Sequence, residues 1–153
     1  MTAPAARAAV LDRLASAPGR LAAEAARVAA AEAESGVPAG EWTPAQVLAH
    51  LVAVEREVWQ ARLAMLGGAT EPEWRWTEPG PVADPRAATA DGASALFADA
   101  RAATLERLAA LDEPGWARTG VHATFGRLDV VGLLAVAASH DDEHLEALRA
   151  RAQ

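Results

Sequence analysis

Apolar residues recur at helical spacing along four stretches of the chain, and segments rich in proline and glycine separate these stretches. The first stretch runs from about Ala5 to Glu34, on a broken helical period. Pro18 and Gly19 interrupt it, because proline lacks the N–H that continues an α-helix. We therefore predict either a kink or two short helices here, followed by a turn over residues 36–41.

The second stretch has the clearest helix start in the sequence. Thr43 offers an N-cap hydroxyl, Pro44 occupies the first helical position and Gln46 the third, which is a capping-box pattern. Apolar residues then recur at helical spacing, and Gly67-Gly68 marks the end of the helix. These apolar residues are Val47, Leu51, Val54 and Val58.

A segment of roughly 19 residues, Gly67 to Pro85, follows the second helix and is long for a connection inside a compact domain. Extended, it could reach roughly 60 Å, whereas a helix of about 24 residues is roughly 36 Å long. The segment could therefore return along the whole bundle and leave helices two and three parallel. It contains Trp74 and Trp76, and the sequence leaves open whether it is a plain spacer or a lid.

The rest of the chain completes a bundle. A third helix is predicted from about Arg86 to Leu111, then a second loop from Asp112 to Leu128, and a last helix for which Asp129 is a good N-cap. No internal repeat and no strand-like alternation is evident. The sequence therefore predicts an all-α four-helix bundle that forms one domain over residues 1–153.

Composition and charge exclude several classes of protein. The chain carries a net charge of −7, and its arginines are scattered among acidic residues, which argues against a nucleic-acid-binding protein. The absence of cysteine excludes disulfides, thiolate ligands and a cysteine nucleophile. No stretch approaches 18 uninterrupted apolar residues, and no signal-peptide pattern is present. We therefore expect a cytoplasmic protein that binds neither membranes nor nucleic acid.

Three histidines carry the candidate chemistry. His140 and His144 are four residues apart, so that both rings lie on one face of the last helix, in phase with its apolar stripe. His50 lies one turn from apolar residues of the second helix and also faces inward. The three rings are thus expected at one level of the bundle, where imidazole nitrogens could surround a single cation.

A single inward histidine is more often a core residue with a hydrogen-bond partner than a ligand. Three of them, however, would each need a partner in a core without tyrosine or asparagine, and a shared metal satisfies all three at once. Three protein ligands leave a coordination position open for water or substrate, unlike the four ligands of most structural zinc sites. Imidazole ligation suits zinc, nickel, iron or copper, and zinc or nickel is our first expectation.

For other polar residues near the histidines in sequence, the evidence for a role in the metal site is weaker. Asp141, Glu143 and Glu55 could orient a ligating ring, although a solvated face or a surface ion pair is the favoured interpretation. Glu143 is also a candidate general base. For His122, pinning a loop is favoured over ligation. The spacing of His140, Glu143 and His144 matches a short metallopeptidase pattern, but those enzymes need a larger mixed fold.

These residues, in this order, resemble the DinB/YfiT-like family over almost the whole chain. The segments that carry the resemblance are Trp42-Thr43-Pro44, His50-Leu51, Glu55 through Arg62, residues 120–126 and His140-Asp141-x-x-His144. The resemblance implies a four-helix bundle with up-down-down-up order, a metal triad of His50, His140 and His144, and a homodimer.

The resemblance also implies two kinds of enzyme. Some relatives use the metal to activate a low-molecular-weight thiol such as mycothiol or bacillithiol for S-transfer or isomerisation. We therefore expect a metal-dependent thiol transferase or a related hydrolase that uses metal-activated water. The alternative is a non-catalytic, stress-linked protein whose metal steadies the bundle.

Overall fold

The structure, a computed structural model, describes residues 2–151, and helix α1 (Ala3–Ser35) continues through Pro18 without a break. The predicted alternative of two short helices is therefore wrong. Buried Leu14 and Leu21 lie on either side of the proline. Burial contributes about 1.5–3 kcal/mol for each such side chain, so the packed face outweighs the roughly 3 kcal/mol that an interior proline costs.

The second predicted helix is present but changes its hydrogen-bonding pattern midway. It comprises α2 (Pro44–Val54), a π-helical segment (Glu55–Gln60) and α3 (Ala61–Leu66). The capping box is confirmed: Thr43 Oγ1 accepts from the Gln46 amide at 3.1 Å, and the Gln46 side chain accepts from the Thr43 amide at 2.8 Å. The π-helical segment was not predicted.

A small sheet corrects the prediction that no strands are present. Strand β1 (Glu73–Trp74) runs parallel to β2 (Thr119–His122), and β2 pairs antiparallel with β3 (Gly126–Asp129). Trp74 packs directly over Gly120, where a β-carbon would collide with the indole ring. Both predicted loops therefore contain strands, and the sheet joins them to each other.

The third predicted helix begins later than expected. Residues Pro85–Ala88 form a 3₁₀ turn, Thr89 is extended and caps the helix, and α4 covers Ala90–Ala109. A short helix α5 (Glu113–Trp116) then precedes the sheet. The final helix α6 covers Val130–Arg151, and its predicted cap is confirmed because Asp129 Oδ1 accepts from the Gly132 amide at 2.8 Å.

The long helices pack into a bundle in which α1 contacts α4 and α6, and α2 contacts α4. Their buried apolar residues form two separate clusters. The first cluster includes Val10, Leu14, Val54, Val58, Trp59, Leu108, Leu133 and Leu134. The second cluster includes Ala17, Leu21, Val28, Leu48, Leu51, Leu96, Phe97, Leu145 and Leu148. Within residues 2–151, no helix is long and apolar enough to cross a membrane.

A buried polar network lies between the two clusters and joins the four long helical segments. Arg101 of α4 donates to both oxygens of Glu55 at 2.9 Å, to Asp141 Oδ2 at 2.8 Å and to the carbonyl of Leu14 at 2.8 Å. Thr104 adds a 2.7 Å hydrogen bond to Glu55 Oε1. Arg101 and both carboxylates are at most 2% exposed. The network thus ties α1, the π-helical segment, α4 and α6 together at one level.

Replacing Arg101 with methionine should lower the free energy of unfolding by about 3–5 kcal/mol, because two buried carboxylates lose the cation that pairs with both of them. Urea unfolding measures the change. Arg107→Met is the matched control, since Arg107 is exposed on the same helix, and it should change stability by less than about 0.5 kcal/mol. Equal losses in the two variants would contradict a structural role for the network.

Candidate metal centre

The structure brings His50, His140 and His144 together from two helices. His50 lies in the middle of α2, and the other two lie one turn apart in α6. The ring centroid of His50 is 5.6 Å from that of His140 and 5.2 Å from that of His144, and the last two centroids are 4.6 Å apart. One ring nitrogen from each histidine lies within 4.8 Å of the other two.

The spacing of these nitrogens fits a metal ion. The Nε2 atoms of His140 and His144 are 3.3 Å apart, close to the roughly 3.3–3.4 Å edge of a tetrahedron with zinc–nitrogen bonds of about 2.0–2.1 Å. Nδ1 of His140 is buried and finds no hydrogen-bond partner in the described chain. No described group therefore holds this ring through Nδ1, as a core histidine with two hydrogen-bond partners would be held, and its Nε2 lies against Nε2 of His144.

Burial keeps the three imidazoles neutral at physiological pH. It lowers the pKa of His140 and of His144 to about 4, helped by the neighbouring histidines and, for His140, by Arg101. Burial also lowers the pKa of His50, against an opposing effect of the Glu78 carboxylate. Neutral imidazoles present free lone pairs, which is the form that binds a metal.

Three tryptophans surround the triad. The ring centroid of Trp42 lies 5.2 Å from that of His50, and those of Trp59 and Trp76 lie 6.1 and 6.3 Å from that of His140. Trp59 is buried, whereas Trp42 and Trp76 are about half exposed. The triad therefore has an apolar wall towards the core and aromatic rings at its solvent side.

Trp76 reaches the triad from the strap, which we define as residues 75–84. The strap is fastened at two points: the Gly80 amide donates to Glu57 Oε2 at 2.7 Å, and Arg62 Nη2 donates to the carbonyl of Arg75 at 3.3 Å. This part of the long loop is therefore more than a spacer, because it contributes a side chain to the site. Trp74 does not share that role, since its side chain is buried against Gly120 of β2.

A cavity of about 590 Å³ opens beside the triad, between α2 and the strap. His50 and Trp42 form part of its wall, together with Glu78 and the proline-rich residues 79–85. A second cavity of about 460 Å³ lies on the other side of Trp42 and is lined by His144. His50 and His144 thus each line a cavity that a small molecule can enter.

The carboxylates near the triad in sequence have other roles than the predicted one of orienting a ring. Glu55 and Asp141 are buried, which corrects the interpretation of a solvated face, and their hydrogen bonds go to Arg101 and Thr104. Burial raises the pKa of Asp141 to about 6 although Arg101 opposes the shift. Glu143 is exposed, which agrees with the predicted solvated face.

His122 pins a turn, as predicted. Its Nδ1 accepts from the amides of Thr124 and Phe125 at 3.0 and 3.3 Å, in the connection between β2 and β3. Its ring nitrogens do not join the histidine cluster.

Sequence reasoning did not single out Arg101, Trp59 or Glu78. A signal for Arg101 was available, because Phe97, Arg101, Thr104 and Leu108 recur at helical spacing on the buried face of α4. Glu78 gave no comparable signal, since a loop without regular structure has no periodicity from which to place a side chain.

His140 and His144 should make the metal-free protein less stable as the pH falls from about 6.5 towards 4, whereas Asp141, whose folded pKa is raised to about 6, contributes in the opposite direction. Because the folded pKa values of His140 and His144 lie below the ordinary 6.5, the unfolded chain binds more protons in this range. The loss should be on the order of 3 kcal/mol for the pair, allowing for partial solvation of the rings. Urea unfolding of the parent chain and of a variant without the two histidines, at pH 7, 5.5 and 4.5, measures this loss as the difference between the two proteins.

The double variant His140→Gln/His144→Gln should lose distinctly less stability over this pH range. His122→Gln serves as the comparison variant; burial also lowers the pKa of His122, so this variant should lose some of the pH dependence but clearly less than the double variant. If the double variant kept the pH dependence of the parent chain, the imidazoles of His140 and His144 would not be the groups whose pKa is lowered.

Comparisons with known proteins agree with the fold. No curated protein matches the chain. A solved structure described as "YfiT from Bacillus subtilis is a probable metal-dependent hydrolase with an unusual four-helix bundle topology" is similar with a TM-score of 0.75 and 17% sequence identity, covering 99% of this chain and 87% of that chain. The family profile described as the DinB superfamily matches residues 5–148. The chain therefore belongs to the DinB superfamily.

Proposed function

We propose that His50, His140 and His144 bind one divalent metal ion, zinc or nickel, and that the chain is a metal-dependent enzyme acting on small molecules. The observation that carries this proposal is the convergence of three neutral imidazoles within 4.8 Å of one another at the edge of an open cavity. Within residues 2–151, no cysteine or carboxylate joins the three histidines. Three protein ligands beside a cavity are typical of catalytic rather than structural sites.

The chain's own residues hold and shield the reacting centre. When bound, a divalent metal supplies a Lewis acid that lowers the pKa of a water or thiol at its open position and polarises a carbonyl group. His50 from α2 and the pair from α6 fix the three ligand directions. Trp59 closes the site towards the core, and Trp42 and Trp76 cover the triad on its solvent side.

Hydrolysis is the reaction that we favour. A solved structure that shares this fold is described as a probable metal-dependent hydrolase, which supports the same class for this chain. The chain has no cysteine, so a thiol reaction would need an external thiol such as mycothiol or bacillithiol. The predicted transferase would use the same site, with an external thiol in place of water as the nucleophile.

We also infer the up-down-down-up helix order and a homodimer, which the family resemblance implies. The sequence positions of the buried residues support the order. Along α1 and α6 the first cluster precedes the second, whereas along α2 and α4 the second cluster comes first. The two middle helices therefore run opposite to the two outer ones.

Each of the variants His50→Gln, His140→Gln and His144→Gln should weaken zinc and nickel binding by at least 100-fold, because each removes one of three ligands. Calorimetric titration and elemental analysis of the purified proteins measure this. His122→Gln should bind metal like the parent chain. Parent-like metal binding by any of the three triad variants would remove that histidine from the site.

The metal-loaded protein should hydrolyse an activated ester without added thiol, and removal of the metal should abolish turnover with only a modest fall in melting temperature. Conjugation of a generic electrophile, assayed with and without mycothiol, tests the transferase reaction in parallel. Turnover that requires the thiol would replace hydrolysis by transfer. No turnover, together with a large fall in melting temperature on metal removal, would instead favour the non-catalytic metal protein.

A further inference from the structure

We propose that the cavity beside His50 binds the cationic end of the substrate, an ammonium or quaternary ammonium group, and that Glu78 is the residue that selects this charge. The proposal deepens the proposed function, because it assigns a substrate class to the same site. The cation-binding half can be tested without metal, however, and is independent of the reaction.

The wall of this cavity has one sign of charge. Two carboxylates, Glu78 and Asp84, line it, and no arginine or lysine does. Its remaining wall consists of His50, the indole of Trp42, the side chain of Gln46 and small or proline-rich segments. An anionic group would therefore find no partner here except at the metal.

The two carboxylates are not equivalent. Asp84 is already neutralised, since both its oxygens accept hydrogen bonds from Arg86 and the two form an ion pair at 2.9 Å. Glu78 accepts one hydrogen bond, from Trp76 Nε1 to Oε2 at 3.0 Å, and forms no ion pair within the described chain. Its negative charge therefore remains available to a ligand in the cavity.

An aromatic ring stands in the same wall. Trp42 is 48% exposed and lies in contact with His50. Its backbone is held in place, because its carbonyl accepts from Arg151 Nη1 at 2.7 Å. A cation over the face of a tryptophan is attracted by the ring quadrupole, so a cavity lined by both an indole and an unpaired carboxylate suits an ammonium group better than a neutral one.

The polarity of the whole site then defines the substrate class. The triad end takes an electronegative reacting group, and the Glu78 end takes a cation. The cavity of about 590 Å³ is within the range that encloses a small molecule. A small ester or amide that also carries an ammonium group satisfies both ends.

The probe for the test is choline, compared with 3,3-dimethylbutan-1-ol, its neutral isostere. A quaternary ammonium has no lone pair and cannot ligate a metal, so binding in the metal-free protein reports the cavity alone. Tryptophan fluorescence and calorimetry measure affinity at pH 7.5. We expect choline to bind at least fivefold more tightly than the neutral isostere, from an unpaired carboxylate and one cation–π contact.

Glu78→Gln should remove most of this preference and leave the affinity for the alcohol unchanged, because glutamine can still accept from Trp76 and fill the same space. Glu73→Gln is the matched control: Glu73 is an exposed carboxylate shortly before the strap but lines a different cavity. It should keep the preference of the parent chain.

Three outcomes would overturn the proposal. Equal binding of choline and the alcohol would show that the cavity does not select charge. An equal loss of preference in Glu73→Gln would show a general effect of net charge. A zinc affinity more than tenfold weaker in Glu78→Gln would make Glu78 a ligand instead. Failure of zinc to bind the parent chain would contradict the proposed function and leave the choline result unaffected.

Discussion

The burial of one guanidinium group constrains the whole bundle. Arg101 lies between two apolar clusters and is satisfied only if α1, the π-helical segment and α6 all present their acceptors to it. Removing a cation from water is expensive unless its partners are in place, so arrangements of the helices that separate these partners are disfavoured. The network fixes the position of these helices relative to one another along their axes. Apolar packing alone is not directional and would fix it less closely.

The same network sets the geometry of the histidines. Asp141 follows His140 in the chain and is anchored to Arg101, while Glu55 lies in the turn of helix after His50 and is anchored to the same group. The network therefore acts on both helices that carry the triad, within about one and a half turns of each ligand. Stability and site preorganisation depend here on the same contacts, which makes a conservative replacement of Arg101 costly for both.

Local patterns predicted the parts of the fold that local forces determine. The capping box at Thr43, the cap at Asp129 and the inward phase of His140 and His144 follow from short-range geometry and are confirmed. The sheet was missed because β1 has two residues and its partner lies far away in sequence, so that pairing rather than periodicity defines it. A better signal was present at Gly126, which adopts a positive φ of 74° after a three-residue connection, as hairpins with glycine often do. The charge-lined cavity could not be predicted, since it exists only where the irregular strap meets α2.

The π-helical segment has a consequence for comparing this chain with its relatives. Each of its hydrogen bonds encloses one residue more than an α-helical bond does, and one residue corresponds to about 100° of helix rotation. The side chains from Ala61 onward are therefore rotated from the directions that a continuous α-helix starting at Pro44 would give them. A relative that lacks this extra residue would align with α2 or with α3, but not with both in one gapless frame. In such a relative the side chain that faces the triad from the position of Trp59 would have to come from a neighbouring position in the sequence.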